Sequence, residues 1–568
     1  MPGGRASFEI QTCRDGRWLT EDIRETESAA RAAAKKLLGK SSAQGVRVLK
    51  SWDRADGLTT ENVVYTEMRE QEAPRVTIVP IDQAPVCRQT QDYYRLESRI
   101  TVNRLFRKYI ERVYLTPTEL MHNYRALKKV QEVDTLFPAA VDRVSTLQAK
   151  SLSEDPRNRR DEVYRSVAQM TQKARKAEEN PNLPKLKNDL DEVLRRVERL
   201  APPGEADYYA LVVLSRDLVE HRNWLGKLER LVELVAPDQR GEVLGLLDGV
   251  IADVMGVPTA LQDILGYQRN LAQALCAIAD LCEGRFSSAK SDARDQIEVL
   301  NPMLAKGRLE ETRRTLLERL LHQLAGGQPL NRHDPALERE SFREIALRLF
   351  RPEGFLGGAA AAEALTRRYV LLGEEGGMKA LRAAVGGMCE TFEDPQFRAV
   401  YLCQLAASPL GADLVVEINV ELYRLGRAGS IDDLAPAKWP LRDRLLFVTR
   451  LYQMVSETQA LDPQVRDDVC AGFDNILAQY VQSQKVIERL DDPDAPLRQR
   501  ATRLLEFCAS GVLPSAGRAQ AMARQRAASV LRQPNFDQRF LDGIDDPVER
   551  EQILRSFHAL LSRAGFRG

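Results

Sequence analysis

Residues 208–235, YYALVVLSRDLVEHRNWLGKLERLVELV, decide the fold. Leu211, Leu214, Leu218, His221, Leu225, Leu228, Val232 and Val235 recur there at alternating steps of three and four, which puts them on one seam of a helix. Arg216, Asp217, Glu220, Lys227, Glu229, Arg230 and Glu233 fall opposite, as on a helix packed along one face and wetted along the other. Each buried leucine is worth roughly 1.5–3 kcal/mol, so a seam this long needs a helical neighbour. Such a seam also suits self-association. Similar segments recur from Tyr93 onward. The expected fold class is therefore mostly α: a small N-terminal α+β module, then an extended multi-helix bundle or an irregular α-solenoid.

Upstream the period changes. Phe8, Ile10 and Thr12 alternate, Asp15-Gly16 offers a tight turn, and Trp18-Leu19-Thr20 resumes. Thr26-Glu27-Ser28-Ala29 opens an Ala-rich helix that stops near Gly39. Val46 and Val48 alternate again, and a last strand through Val63–Thr66 follows Asp56-Gly57. The order is ββαββ. Gly39-Lys40-Ser41 is no phosphate loop, because that loop needs glycine where Ala34 stands and a strand before it. Trp18, Trp52 and Tyr65 are read as filling a small core in preference to forming a base-stacking platform. The expected organisation is a ββαββ domain over 1–70 and a Pro-containing linker over 71–92. Helical domains follow over 93–200, 205–330 and 331–568.

Within the helical part, Thr116-Pro117-Thr118-Glu119 has the cap, the first-turn proline and the capping-box glutamate of a helix start. Asp-Pro pairs at 155, 334, 394, 462, 492 and 546 repeat that chemistry. Their irregular spacing supports no ordinary helical repeat array. Breaks are expected at Ala201–Gly204 and from Gly326 to Pro335. Gly354–Gly358 is read as a connection in preference to an anion-holding loop, and 414–420 as a buried helix despite its β-branched residues.

The 568 residues exceed what one core holds, and 82 basic residues balance 82 acidic ones, so no global field draws the chain to nucleic acid or an anionic membrane. No run of about 18 apolar residues suggests a membrane span. Residues 1–18 lack the pattern of a secretory signal. The eight cysteines are scattered, without C-x-x-C, and are expected to be reduced core residues in a cytoplasmic protein. Arg far exceeds Lys, the bias of a GC-rich bacterial genome.

Catalytic constellations are not evident: there is no G-x-S-x-G, H-E-x-x-H or G-x-G-x-x-G. His221 is expected at a core edge, and His322 with Glu318 makes only half a metal site. One local feature stands out. Between residues 95 and 129 the chain carries Arg95, Arg99, Arg104, Arg107, Lys108, Arg112, Arg125, Lys128 and Lys129 against three glutamates. Of these, Arg95, Arg99, Arg104, Arg107, Lys108, Arg112, Lys128 and Lys129 are the candidate residues for an anionic partner. The expected function is that of a non-enzymatic scaffold or regulatory adaptor acting through protein–protein contacts, with no cofactor and no metal. Its partner would be another protein or a second copy of the chain. Nucleic-acid binding by the basic helices is the first alternative, and an enzyme with a cleft between helical domains is the second.

Overall fold

The computed structural model describes residues 7–566, apart from 15–16, 41–44, 54–58, 69–76, 134, 237–238, 289 and 374. The described residues form 27 α-helices, and the four longer strands all precede residue 69. Two compact units result, residues 1–80 with 130–142 and residues 81–129 with 143–568.

In the first unit β1 (Ser7–Arg14), β2 (Arg17–Arg24), β3 (Gly45–Asp53) and β4 (Thr59–Met68) form an antiparallel sheet in the order β2-β1-β3-β4. Strand alternation sends Phe8, Ile10, Val46 and Val48 to one face. There they meet Ala30, Ala34 and Leu38, one stripe of the helix Glu27–Lys40. The Thr26 hydroxyl caps that helix by accepting from the Ala29 amide. Tyr65 packs on this helix-side core with Arg31 5.6 Å from its ring centre. Trp18 pairs with position 13 on the other face and carries the Arg47 guanidinium at 4.5 Å. The two rings cannot form one stacking surface. Both Asp-Gly turns and the Trp52 side chain lie outside the described residues.

The second unit is helical, and its starts follow the Asp and Thr caps. Asp155, Asp394, Asp462 and Asp546 each accept a backbone amide two residues on, with proline in the first turn. Asp334 does the same for a 3-10 turn. Asp492 is different: it closes a turn onto the Asp494 amide, and the next helix begins only at Leu497. The 208–235 seam is also revised, because it is two helices, Ala206–Leu218 and Trp224–Glu233. Asn223 stops the continuation by capping the second helix through the Gly226 amide at 2.6 Å. That break lets Trp224 bury its ring.

Two further readings change. The 414–420 stretch does enter a helix, Val415–Gly426, which buries Ile418, Leu422 and Leu425 but leaves Val415, Val416 and Val420 exposed. The glycine-rich stretch 354–358 includes one arm of a two-residue-per-strand hairpin, Phe350–Arg351 with Gly354–Phe355, before the helix Gly358–Leu371. Among the described residues no single helix is long and apolar enough to cross a membrane. Six described cysteines are buried, and burial pushes the Cys276, Cys282 and Cys389 thiols up to about 12, so these thiols are poor nucleophiles.

Candidate functional site

The eight candidate cations divide by environment. Arg99 is buried and spends its charge on Asp253 and Glu311. Arg95, Arg104 and Arg107 pair with Asp92, Glu318 and Glu111. The Arg104 pairing also occupies the carboxylate that would have joined His322 at a metal. Among the described residues no group of three or more His, Cys, Asp or Glu converges on a metal-sized point. Lys108 and Lys128 are exposed. Arg112 and Lys129 are exposed as well, and they line a cleft of about 1070 Å³.

That cleft lies within the helical unit. The helix Arg107–Val113 supplies Tyr109 and Arg112, the helix Pro117–His122 its last residue, and the helix Tyr124–Gln131 supplies Tyr124, Arg125 and Lys129. The opposite lining comes from Glu178 and Lys185, from Arg216 of Ala206–Leu218, and from Glu220 and Arg222 in the helix break. Six cations thus face two carboxylates in a chain whose overall charge is zero. Glu178 is already engaged by Arg125 at 2.7 Å, and Arg216 caps the Ala177 and Glu178 carbonyls. Arg112, Lys129, Lys185 and Arg222 have no hydrogen-bond or ion-pair partner among the described residues. The Tyr109 hydroxyl, on a side chain that lines the cleft, has no partner among the described residues either.

The lining is held by buried polar groups. Glu119, predicted from sequence as a capping-box residue, accepts from the Thr116 amide at 2.8 Å, while the Thr116 hydroxyl accepts from the Glu119 amide at 3.1 Å. Its other oxygen meets Lys227, and neither side chain has any solvent exposure. The Lys227 ammonium also donates to the Leu218 carbonyl at 2.6 Å, so one cation ties the capping box to the helix break beside Glu220 and Arg222. Burial pushes Glu119 up and Lys227 down from their ordinary values, and the ion pair opposes both shifts. Lys227 was expected on the wetted face, and it is fully buried. Asp253 holds the same helix start by accepting from the Thr118 amide at 2.8 Å. Tyr114, with φ of 54°, takes the left-handed conformation that ends the Arg107–Val113 helix and aims the chain into the Thr116 cap.

His122 contributes shape and no charge. Its Nδ1 lies 2.7 Å from the Thr118 carbonyl, and its ring stands 5.1 Å from Tyr94 and 4.8 Å from Tyr208. Burial pushes its pKa down to about 4, and the charges of Arg99 and Lys173 add to the shift, so the ring is neutral at pH 7. With four of its cations unpaired, the cleft can hold an anion at several points at once. Sequence reasoning found Arg112 and Lys129 but missed Lys185, Arg216 and Arg222. These lie roughly 55–110 residues downstream of Arg112 and Lys129 and become neighbours only through tertiary packing. No protein-family model, curated protein or solved structure matches this chain.

Proposed function

We propose that this protein is a non-enzymatic adaptor whose helical unit captures an acidic segment of a partner protein in the basic cleft, in the reducing cytoplasm that suits its buried free thiols. The carrying observation is the local imbalance: six cations against two carboxylates in one cleft, four of the cations unpaired, on a chain with no net charge. A neutral chain exerts little long-range pull on nucleic acid, so selection falls to the cleft. There a carboxylate can take bidentate bonds from Arg112 or Arg222. Tyr114 and Tyr124, partly exposed in the same lining, favour a second reading, single-stranded nucleic acid stacked on those rings.

Fluorescence anisotropy of the full chain separates the two. A labelled peptide of ten glutamates is expected to bind at low salt, to lose affinity as salt rises, and to bind at least tenfold more weakly to Arg112→Glu/Lys129→Glu. Preferential binding of an equally charged oligothymidylate would transfer the assignment to the second reading. If neither probe binds at low salt, the cleft is not an anion site.

A further inference from the structure

We propose that the carboxyl-terminal half of the helical unit carries a second, separate recognition groove, built for an extended peptide whose backbone is read by glutamine side chains. The helices Pro395–Ala406 and Leu441–Glu457, with the turn of the Phe350–Phe355 hairpin, line a cavity of about 940 Å³. A smaller cavity of about 320 Å³ shares Gln396 and Arg450 with it and adds Trp439. Phe447, Arg450, Met454 and Glu457 recur at steps of three and four, so one face of the Leu441–Glu457 helix lines both spaces.

The lining has an unusual chemistry. Gln396, Gln404, Gln453 and Gln459 surround a floor of Val400, Cys403 and Met454. A primary amide offers a donor and an acceptor in one plane, the same complement that a peptide unit presents. Gln404 accepts from the Phe355 amide at 2.9 Å, which leaves its NH2 free, and Gln396 donates to the Pro352 carbonyl at 3.2 Å, which leaves its oxygen free. The Gln453 and Gln459 side chains have no hydrogen-bond partner among the described residues. Gln396 and Gln404 stand two turns apart, about 12 Å along the helix, the length of three to four extended residues.

Charge narrows the ligand further. Arg450 has no carboxylate partner, and Glu353 and Glu457 of the larger cavity have no cationic one, among the described residues. Trp439 stays 37% exposed and stands edge-on to Phe447 at 5.4 Å, leaving room for an apolar side chain. The matching ligand is an extended segment with a basic side chain for the glutamates, an acceptor for Arg450 and an apolar anchor at Trp439. A neutral oligosaccharide would satisfy the amides but leave Arg450, Glu353 and Glu457 unmatched. This groove selects against the acid-rich ligand proposed for the basic cleft, so the two surfaces would hold different partners.

The test is selection of a phage-displayed library of random 12-residue peptides on the full-length chain, followed by anisotropy with a labelled selected peptide. Enriched sequences are expected to carry Lys or Arg with an apolar residue. Binding should weaken about fivefold or more in Gln453→Ala/Gln459→Ala, both exposed positions that leave folding intact. It should be unchanged in Arg112→Glu/Lys129→Glu, whatever the fate of the acidic-partner reading. Failure to enrich any peptide, indifference to the glutamine pair, or displacement by maltohexaose would each overturn the proposal.

Discussion

Replacing Lys227 by Met tests how the basic cleft is held. In the native protein Glu119 and Lys227 are wholly shielded from water, and the ammonium also satisfies the Leu218 carbonyl. Lys227→Met keeps the volume of the stem but strands a buried carboxylate. Glu119 then takes up a proton, at a cost of about 1.36 kcal/mol for each pH unit above its ordinary 4.5. At pH 7 that comes to roughly 3 kcal/mol, and the orphaned carbonyl adds about 1–3 kcal/mol. The total, about 4–6 kcal/mol, is in the range for breaking a buried pair. The sign with pH follows directly. In the variant Glu119 has a raised folded pKa, so its contribution to stability is lost as pH rises above 4.5 and is regained on acidification. Urea unfolding at pH 7 and pH 5 should show the deficit of the variant shrinking by roughly 2–3 kcal/mol between them. Glu119→Gln/Lys227→Met should recover much of the loss at pH 7, because no charge is left buried. A deficit below about 1 kcal/mol at pH 7, or one that does not change with pH, would refute the reasoning.

Four further outcomes follow from the same packing. His122, with its pKa held down to about 4, stays neutral in the folded chain while the unfolded chain protonates near 6.5. Its stabilising contribution is therefore present above pH 6.5 and falls by about 3 kcal/mol on acidification to pH 4, a slope that His122→Gln should flatten in pH-dependent denaturation. Gly472→Ala should lower stability by about 1–2 kcal/mol, since an added Cβ would press into the Gly426 carbonyl and outweigh the helix-propensity gain. Gly245→Ala, on a helix with open space around it, should instead stabilise by about 1 kcal/mol in the same thermal melt. Asp491 is buried between Arg500 and Arg526, so Asp491→Asn should cost about 2 kcal/mol and loosen the segments 486–531, read by hydrogen exchange.

Local chemistry in the chain was legible where short range decides. The Thr116 capping box, four Asp-Pro helix starts and the alternation of Phe8, Ile10, Val46 and Val48 all operate within a few residues or along one strand. The break at 219–223 was not legible, because the three-and-four seam continues across it, and only the Asn223 cap with the long-range demands of Lys227 and Trp224 overrides the period. Lys227 shows why a helical wheel can mislead: polarity put it on the water side, while Glu119, 108 residues away, draws it inside. The basic segment was visible as composition, but composition cannot separate Arg99, neutralised by Asp253 and Glu311, from Arg112. Nor can it bring Lys185 and Arg222 to the same cleft, because that assembly needs the packed helices.

The central claim, an anion-binding cleft in the helical unit, is tested most directly by hydrogen exchange of the full chain with and without the decaglutamate peptide. The account predicts slowed exchange confined to segments 107–131, 177–185 and 212–222, abolished in Arg112→Glu/Lys129→Glu. Protection centred instead on residues outside those segments, or none at saturating peptide, would contradict it.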